Sequence, residues 1–268
     1  MSVLEAGSPL PRPLLRVESV SKSFGGIQAL CEVSFEVAAG TIHSVIGPNG
    51  AGKTTLFNVV TGAYVPEGGR IVYQDKEIQG KRVHELVAWG IARTFQNVEL
   101  FGSMTALENV LVGQHVRTRC GFMGAMGRWP WVRREEEEAR RWAHELLQFV
   151  GLEKVAGQRS EDLPFGWQRF LEIARALGAR PRLLLLDEPA SGLNAVETER
   201  LGELLCAIRE KGVTLLLVEH DMSLAMGISD SILVLHQGRK LAEGTPREIQ
   251  ANEDVIAAYL GSEREPLS

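Results

Sequence analysis

Apolar and polar residues alternate along the first part of this chain in a pattern that predicts antiparallel strands. Residues 15–20 and 33–37 place apolar side chains at about every second position, which is typical of strands with one buried face. A further strand is predicted at residues 70–73, between turn residues that include Gly69 and Asp75. The first quarter of the chain is therefore expected to contain an antiparallel sheet.

The second half of the chain carries apolar runs of a different kind. Residues 183–186 and 214–218 are almost continuously apolar, as in strands that are buried on both faces of a parallel sheet. A third run, residues 232–235, is followed by a short polar turn and a second strand-like run, which predicts a hairpin at the edge of that sheet. Together the patterns predict an α/β fold with a mixed, mainly parallel sheet.

Strand-like runs disappear between Thr105 and Leu163, and the segment is predicted to be helical. Residues 135–150 are charged and helix-prone. Within them, Glu136 precedes Arg140 by four residues, which is a favourable spacing for ion pairs on a helix. A solvated helix face explains these charges fully. We expect a mostly helical insert over residues 103–180.

Composition narrows the classes of function. The chain has 268 residues and a formal net charge of −5, which disfavours general nucleic-acid binding, because such proteins usually carry a basic stripe or a basic domain. Its three cysteines, Cys31, Cys120 and Cys206, are far apart and have no metal-binding spacing. We therefore expect a reducing compartment and no zinc site.

The ends of the chain are predicted to be flexible tails around one domain. Residues 1–13 contain three prolines and no apolar segment of signal-peptide length, and no later window reaches 18 uninterrupted apolar residues. We expect tails at residues 1–13 and 261–268, a single domain over residues 14–260, and a soluble, cytoplasmic protein.

A glycine-rich loop between a predicted strand and a predicted helix is the strongest candidate for chemistry. Glycines allow backbone N–H groups to approach an anion, and the helix that follows adds unpaired N–H donors. Lys53 would neutralise β- and γ-phosphate charge, and Thr54 would hold Mg²⁺. An ordinary glycine turn could match the same short pattern by chance. The predicted nucleotide-binding residues are Gly47, Pro48, Asn49, Gly50, Ala51, Gly52, Lys53, Thr54 and Thr55.

Acidic and polar residues at the ends of the buried strands suit phosphate hydrolysis. Asp187 and Glu188 close the first leucine run; Asp187 would orient a magnesium ion and Glu188 would act as general base on water. His220 ends the next strand and would contact the γ-phosphate or the water. Gln96 is suited to contact Mg²⁺ or water. Each of these side chains, taken alone, could also be structural.

The order of these elements resembles that of the ATP-binding cassette (ABC) family over nearly the whole folded chain. The resemblance assigns the glycine loop to Walker A, Gln96 to the Q-loop, Asp187 to Walker B and Glu188 to the catalytic glutamate. His220 matches the switch histidine. Residues 191–194, with Asn194 at their end, match the D-loop, and Phe24 matches the aromatic residue that stacks on adenine. The implied fold is the ABC ATPase fold, and the implied cofactors are ATP and Mg²⁺.

The family's signature motif also has a counterpart, but it departs from the usual Leu-Ser-Gly-Gly-Gln. Here the residues are Leu163, Pro164, Phe165, Gly166 and Trp167, so that the serine hydroxyl and the glutamine are replaced. In the family this motif opens a helix that completes the nucleotide site of a partner subunit, and that helix is expected over residues 167–179. The resemblance implies that Pro164, Phe165, Gly166, Trp167 and Asn194 contact nucleotide.

Several stretches are similar to the branch of the family that imports branched-chain amino acids. They are residues 93–97, residues 171–177 and residues 219–222. The branch implies an ATP-hydrolysing subunit of an importer for branched-chain or other amino acids, on the cytoplasmic face of the inner (plasma) membrane. It also implies a homodimer or a heterodimer with a related ATPase, two transmembrane permease subunits and an extracytoplasmic solute-binding protein, with no nucleic acid.

Two other classes of protein, soluble cassette ATPases and small-molecule kinases with a P-loop, share parts of this pattern. One alternative is a soluble cassette ATPase of cluster assembly, which the length of this chain does not exclude. Chromosome-type cassette ATPases carry long coiled coils, for which the short separation between Lys53 and Gly166 leaves no room. A small-molecule kinase with a P-loop would leave residues 163–167 and His220 unexplained.

Overall fold

The computed structural model of the chain describes residues 13–94, 99–114 and 130–262. In this part, strands β1 to β10 are Pro13–Phe24, Ile27–Ala38, Ile42–Ile46, Gly68–Tyr73, Lys76–Glu77, Ile91–Arg93, Leu183–Asp187, Thr214–Val218, Ser231–His236 and Arg239–Gly244. Helices α1 to α9 are Lys53–Val60, Val83–Ala88, Ala106–Gly113, Pro130–Phe149, Phe165–Gly178, Ala195–Glu210, Met222–Ile228, Pro246–Gln250 and Glu253–Ser262.

A six-stranded sheet forms the centre of the fold. Its strand order is β10-β9-β3-β8-β7-β6. All pairs are parallel except β9 with β10 at the edge. Gln237 and Gly238 join that edge pair, both with positive φ, as a two-residue hairpin turn requires. The sheet is therefore mixed and mainly parallel, and the predicted α/β class is confirmed.

A second, antiparallel sheet has the order β2-β1-β4-β5. It contains the alternating runs that the sequence pattern identified. Gly69 was predicted to be a turn residue and instead lies in β4. Its φ is +80°, and a Cβ there would collide with the backbone oxygens of Glu18 and Ser19, where the pairing of β1 with β4 is irregular. Glycine is needed because the two backbones approach closely.

The leucine run of β7 contributes to two separate cores. Leu184 and Leu186 belong to one hydrophobic cluster, which includes residues of α3, α4 and α5. Leu183 and Leu185 point the other way, into a cluster with residues of α1 and the antiparallel sheet. All four are fully buried, and each contributes about 1.5–3 kcal/mol on burial. The continuous apolar pattern follows from this two-sided burial.

In the described part of the segment between β6 and β7, the regular elements are helices joined by turns and loops. It contains α3, α4, two short 3-10 turns and α5. A reciprocal cap begins α3, because Thr105 Oγ1 accepts from Glu108 N–H and the Glu108 carboxylate accepts from Thr105 N–H. Helix α5 begins at Phe165, two residues before the predicted start, because Pro164 has an extended backbone and serves as its N-cap.

The folded chain extends slightly beyond the expected span. Strand β1 begins at Pro13, and α9 ends at Ser262. A third cluster holds this C-terminal region, since Ile249 and Val255 pack with Ile46 and Val234 of the main sheet. No helix in the described part of the chain is long and apolar enough to span a bilayer.

Candidate functional site

The glycine loop leaves the end of β3 at Ile46 and enters α1 at Lys53. Gly47, Gly50 and Gly52 have φ values of +151°, +76° and +100°, which other residues rarely adopt. A Cβ on Gly47 would collide with Leu235 O, and one on Gly52 would lie 2.5 Å from Ala29 O. The loop is thus held against two neighbouring strands, and it leads into the N-terminus of α1.

Lys53 is buried, and its ammonium group lies across the loop. Its Nζ donates to Gly47 O at 2.6 Å and to Pro48 O at 3.0 Å. Desolvation lowers the pKa of Lys53, and the charges of Glu188 and Asp187 act in the opposite direction. The amine therefore faces two carboxylates. Asn49, Gly50 and Thr54 are exposed at the same loop, whereas Ala51 is buried and Thr55 is half-buried.

Asp187 ends β7 and is almost completely buried. Its Oδ2 accepts from Arg93 Nη2 at 2.9 Å, whereas its Oδ1 is buried without a hydrogen-bond partner among the described residues. Burial raises the pKa of Asp187, and the Arg93 guanidinium opposes this shift. A buried carboxylate oxygen without a partner is costly. The Oδ1 atom of Asp187 is therefore suited to be a ligand of a divalent cation, together with the exposed Thr54 hydroxyl that follows Lys53.

Arg93 connects this carboxylate to the helix behind the loop. Its Nη1 donates to Asn58 Oδ1 of α1 at 2.7 Å and to Oγ1 of Thr61, the C-cap residue of that helix, at 3.0 Å. The end of β6 is thereby tied to the ends of β7 and α1. Sequence reasoning did not identify Arg93, because its three partners lie between 32 and 94 positions away in the chain.

Glu188 and His220 face each other beside Asp187. His220 Nδ1 lies 3.7 Å from Glu188 Oε2, with side-chain exposures of 55% and 18%. The backbone of Glu188 has a φ of +48°, a conformation that non-glycine residues adopt at a cost and that is often found at functional sites. The carboxylate and the imidazole are close enough to contact the same water molecule.

The tip of α5 packs against the segment that follows Glu188. Phe165 is 47% exposed, and a Cβ on Gly192 would lie 2.7 Å from its ring. Gly166 is buried against the Glu197 carboxylate. Trp167 is partly buried against the first core cluster. Phe165, Gly166 and Trp167 of this motif therefore all pack against other parts of the same chain.

Asn194 is engaged at the start of α6. Its Oδ1 accepts from Glu197 N–H at 3.0 Å, and its own N–H donates to Glu197 Oε2 at 3.0 Å. This arrangement is a reciprocal helix cap. The predicted nucleotide contact of Asn194 stays a prediction, and the structure assigns the residue a capping role within the chain.

Phe24 lies at the surface at the end of β1, and is not part of the core. It is 42% exposed, and its ring meets Tyr64 edge-on at a centroid distance of 5.1 Å. Lys22 Nζ lies 5.3 Å from the same ring. An exposed aromatic face that is fixed from the side suits stacking on a flat heterocycle. Tyr64, which follows α1, was missed at the level of sequence.

Comparison with known proteins identifies the family. The profile of the ABC transporter family matches residues 30–191, which is more than half of the chain. This chain belongs to the ABC transporter family. A second profile, Branched-chain amino acid ATP-binding cassette transporter, matches residues 239–265.

Two curated relatives align over almost the whole ABC chain. The "High-affinity branched-chain amino acid transport ATP-binding protein BraF" of Pseudomonas aeruginosa is 49% identical over 94% of this chain and 99% of its own length. The protein LivG of Escherichia coli (strain K12), with the same description, is 46% identical over the same shares. The similarity therefore includes both the site and the C-terminal region.

Solved structures of ABC cassettes share the fold. The ADP conformation of an ATP-binding cassette superposes with a TM-score of 0.82 and 32% identity, covering 93% of this chain and 99% of that one. A dimeric bacterial ABC transporter cassette gives a TM-score of 0.74 and 28% identity, over 87% and 99% of the two chains. The predicted ABC ATPase fold is confirmed.

Within this ABC fold, the described part of the chain brings most of the predicted residues to one edge of the main sheet. Lys53, Asp187, Glu188 and His220 meet at the carboxyl ends of β3, β7 and β8, as the strand-end pattern suggested. Gln96 lies outside the described residues, so its predicted contacts with Mg²⁺ and water stay predictions. Cys120 also lies outside them.

Proposed function

We propose that this chain is the ATP-binding and ATP-hydrolysing subunit of an ABC importer for branched-chain amino acids. The observation that carries the proposal is the end-to-end similarity to BraF and LivG, whose descriptions name that transport. The match of residues 239–265 to the branched-chain amino acid profile supports the same branch. It also disfavours the alternative of a cassette ATPase of cluster assembly.

The site supplies the parts that ATP hydrolysis needs. Lys53 and the backbone N–H groups of the loop hold the phosphates, and Phe24 stacks on the adenine. Thr54, Asp187 and Gln96 are the residues that would hold Mg²⁺, and the bound ion supplies charge neutralisation at the β- and γ-phosphates. The buried Asp187 Oδ1 fits that role.

Glu188 takes the proton of the attacking water in this proposal. Its carboxylate is mostly buried and lies 3.7 Å from His220 Nδ1, so that the histidine can orient the same water or contact the γ-phosphate. A general base of this kind commonly accelerates a reaction about 10²- to 10⁴-fold. Arg93 holds Asp187 through Oδ2, and the other oxygen, Oδ1, would be the one that binds the cation.

In the proposed assembly, residues 14–260 form one cassette domain, with a helical subdomain over about residues 103–180. Two cassettes, either identical or related, would enclose the nucleotide, with the N-terminus of α5 of one cassette facing the loop of the other. Dimeric cassettes in the family support this arrangement. Separate permease subunits would provide the path for the solute and hold the cassette at the cytoplasmic face of the membrane, and a binding protein would deliver the solute.

Uptake in cells tests this proposal. In a deletion strain, the wild-type chain is expected to restore uptake of radiolabelled leucine and to co-purify with permease subunits. Glu188→Gln should lower the initial rate at least about 100-fold, because the base is lost. Glu203→Gln, at an exposed position on α6, is the matched control and should behave as wild type. Restored growth without leucine uptake, or recovery of a soluble scaffold in place of permeases, would contradict the proposal.

A further inference from the structure

A buried carboxylate, that of Glu219, lies next to Glu188 and His220, the proposed hydrolytic pair, and has no part in the chemistry described so far. Glu219 directly follows β8, at the middle of the main sheet, and its exposed fraction is 0%. Its backbone N–H donates to Val45 O of β3 at 3.3 Å. Glu219 is thus fixed to the strand that leads into the glycine loop.

The two oxygens of Glu219 hold two different segments. Oε1 accepts from Ala190 N–H at 2.9 Å. Oε2 accepts from His220 N–H at 3.2 Å and from Asp221 N–H at 3.4 Å. Burial raises the pKa of Glu219, and these N–H donors oppose that shift. The carboxylate therefore joins the segment after Glu188 to the segment that carries His220.

This connection coincides with a strained point in the backbone. Glu188 has a φ of +48°, and such a conformation persists only where the surroundings fix it. Its N–H donates to Val218 O at 2.9 Å, and its C=O accepts from Ser191 N–H at 3.0 Å. Glu219 adds the anchor at Ala190, inside that turn. The turn is therefore held at Glu188, by Val218, and at Ala190, by Glu219.

We propose that Glu219 is a positioning residue for the hydrolytic pair. By holding Ala190 N–H on one oxygen and His220 N–H on the other, it sets the separation of the Glu188 carboxylate from the His220 ring. The inference rests on the proposed function of Glu188 and His220 in ATP hydrolysis. It adds a residue that contacts neither nucleotide nor water.

The chemistry of the contacts makes the position specific for glutamate. Both oxygens accept only N–H donors, so that a glutamine would direct its own NH₂ group at one of them and lose that bond. An aspartate would keep the carboxylate group but withdraw both oxygens by one methylene. Neither substitution touches Lys53 or the glycine loop.

Steady-state hydrolysis by the full-length chain tests the inference. Glu219→Gln should lower kcat about 10- to 100-fold. This decrease should not exceed the decrease in kcat caused by Glu188→Gln, which removes the base. KM for ATP should stay within about twofold, because the residues that bind phosphate are unchanged. Glu210→Gln, an exposed glutamate at the end of α6, is the control and should leave both parameters unchanged. Glu219→Asp should lower kcat in the same way and provides a second variant should Glu219→Gln not fold.

A double variant separates positioning from general loss of structure. Glu219 acts only through the pair, so Glu188→Gln/Glu219→Gln should hydrolyse ATP no more slowly than Glu188→Gln alone. Additive losses, or an unchanged kcat in both Glu219 variants, would overturn the inference. A wild-type chain without ATPase activity would instead refute the proposed function, so the two failures are distinguishable.

Discussion

Burial decides how individual ionisable residues of this chain behave. His43, on β3, is fully buried. Its Nδ1 lies 2.6 Å from Ser231 Oγ, and its ring stacks on Phe35. Burial, with a smaller contribution from Lys240, lowers the pKa of His43 from 6.5 to about 4. The imidazole is therefore neutral in the folded protein at neutral pH.

This shift predicts a pH dependence of stability. Between pH 6.5 and about 4 the unfolded chain binds a proton at His43 that the folded chain does not, so the free energy of unfolding falls as the pH is lowered through that window. From pH 7 to pH 5 the contribution lost is about 2 kcal/mol. Above pH 6.5 it is fully present.

Urea unfolding at pH 7 and pH 5 measures this effect. In His43→Gln the fall in unfolding free energy between the two pH values should be smaller than in wild type by about 2 kcal/mol. His84→Gln, at an exposed position, should retain the wild-type dependence. If His43→Gln also retained it, the assignment of the neutral buried imidazole would be wrong.

Residues in local motifs could be predicted from sequence, and residues defined by distant contacts could not. Lys53 follows a glycine pattern, and Asp187 closes a leucine run. Arg93 and Glu219 have no such pattern, because their partners come from other strands and loops. Phe24 is an intermediate case. The family resemblance indicated the residue, but only the structure shows that its ring is exposed.

At the scale of elements, the N-terminus of α5 and the segment 191–194 form one packed unit. Phe165 fits against Gly192, whose φ is +81°. The Arg169 guanidinium also lies over the Phe165 ring, with its Cζ 5.4 Å from the ring centroid. The unusual Phe165 of the signature is therefore accommodated by glycine in the D-loop of the same chain.

Gly192→Ala should destabilise the protein in two ways. The positive φ costs about 1–2 kcal/mol for a residue with a Cβ, and the added methyl would lie 2.7 Å from the Phe165 ring. Adding Phe165→Ala to Gly192→Ala removes the steric clash with the ring, but leaves the cost of the positive φ. A double-mutant cycle on unfolding free energies should therefore give a coupling of about 0.5–3 kcal/mol.

Gly212→Ala is the matched control for that prediction. Gly212 has a φ of +86°, and a Cβ there would meet nothing within 4 Å. It should show the strain without the collision, and no coupling to Phe165. Equal destabilisation by Gly192→Ala and Gly212→Ala would contradict the proposed contact.

Element types could be predicted well, and their ends less well. The apolar run of residues 183–186 indicated a buried strand because both faces of β7 pack into cores. The start of α5 was predicted two residues late, because Pro164 was interpreted only as a departure from a motif. Its backbone conformation makes it an N-cap. Gly69 was misassigned for a similar reason, since a close approach of strands uses the same residue as a turn.

At the scale of the whole molecule, strand order creates the site. Strands β3, β8 and β7 are neighbours in the sheet, although β3 is separated from the other two by more than a hundred residues of sequence. Because they are parallel, Lys53, Asp187, Glu188 and His220 meet at one edge. The polar residues at the ends of the predicted buried strands indicated this edge of the sheet, and the family resemblance predicted which motifs meet there.

The most direct test of the account is an assay of bound and hydrolysed ATP on the full-length chain, assembled with its partners. Glu188→Gln is predicted to retain ATP with wild-type affinity and to hydrolyse it at least about 100-fold more slowly. Lys53→Ala is predicted to lose most of the bound nucleotide. Wild-type hydrolysis by Glu188→Gln, or undiminished ATP binding by Lys53→Ala, would contradict the account.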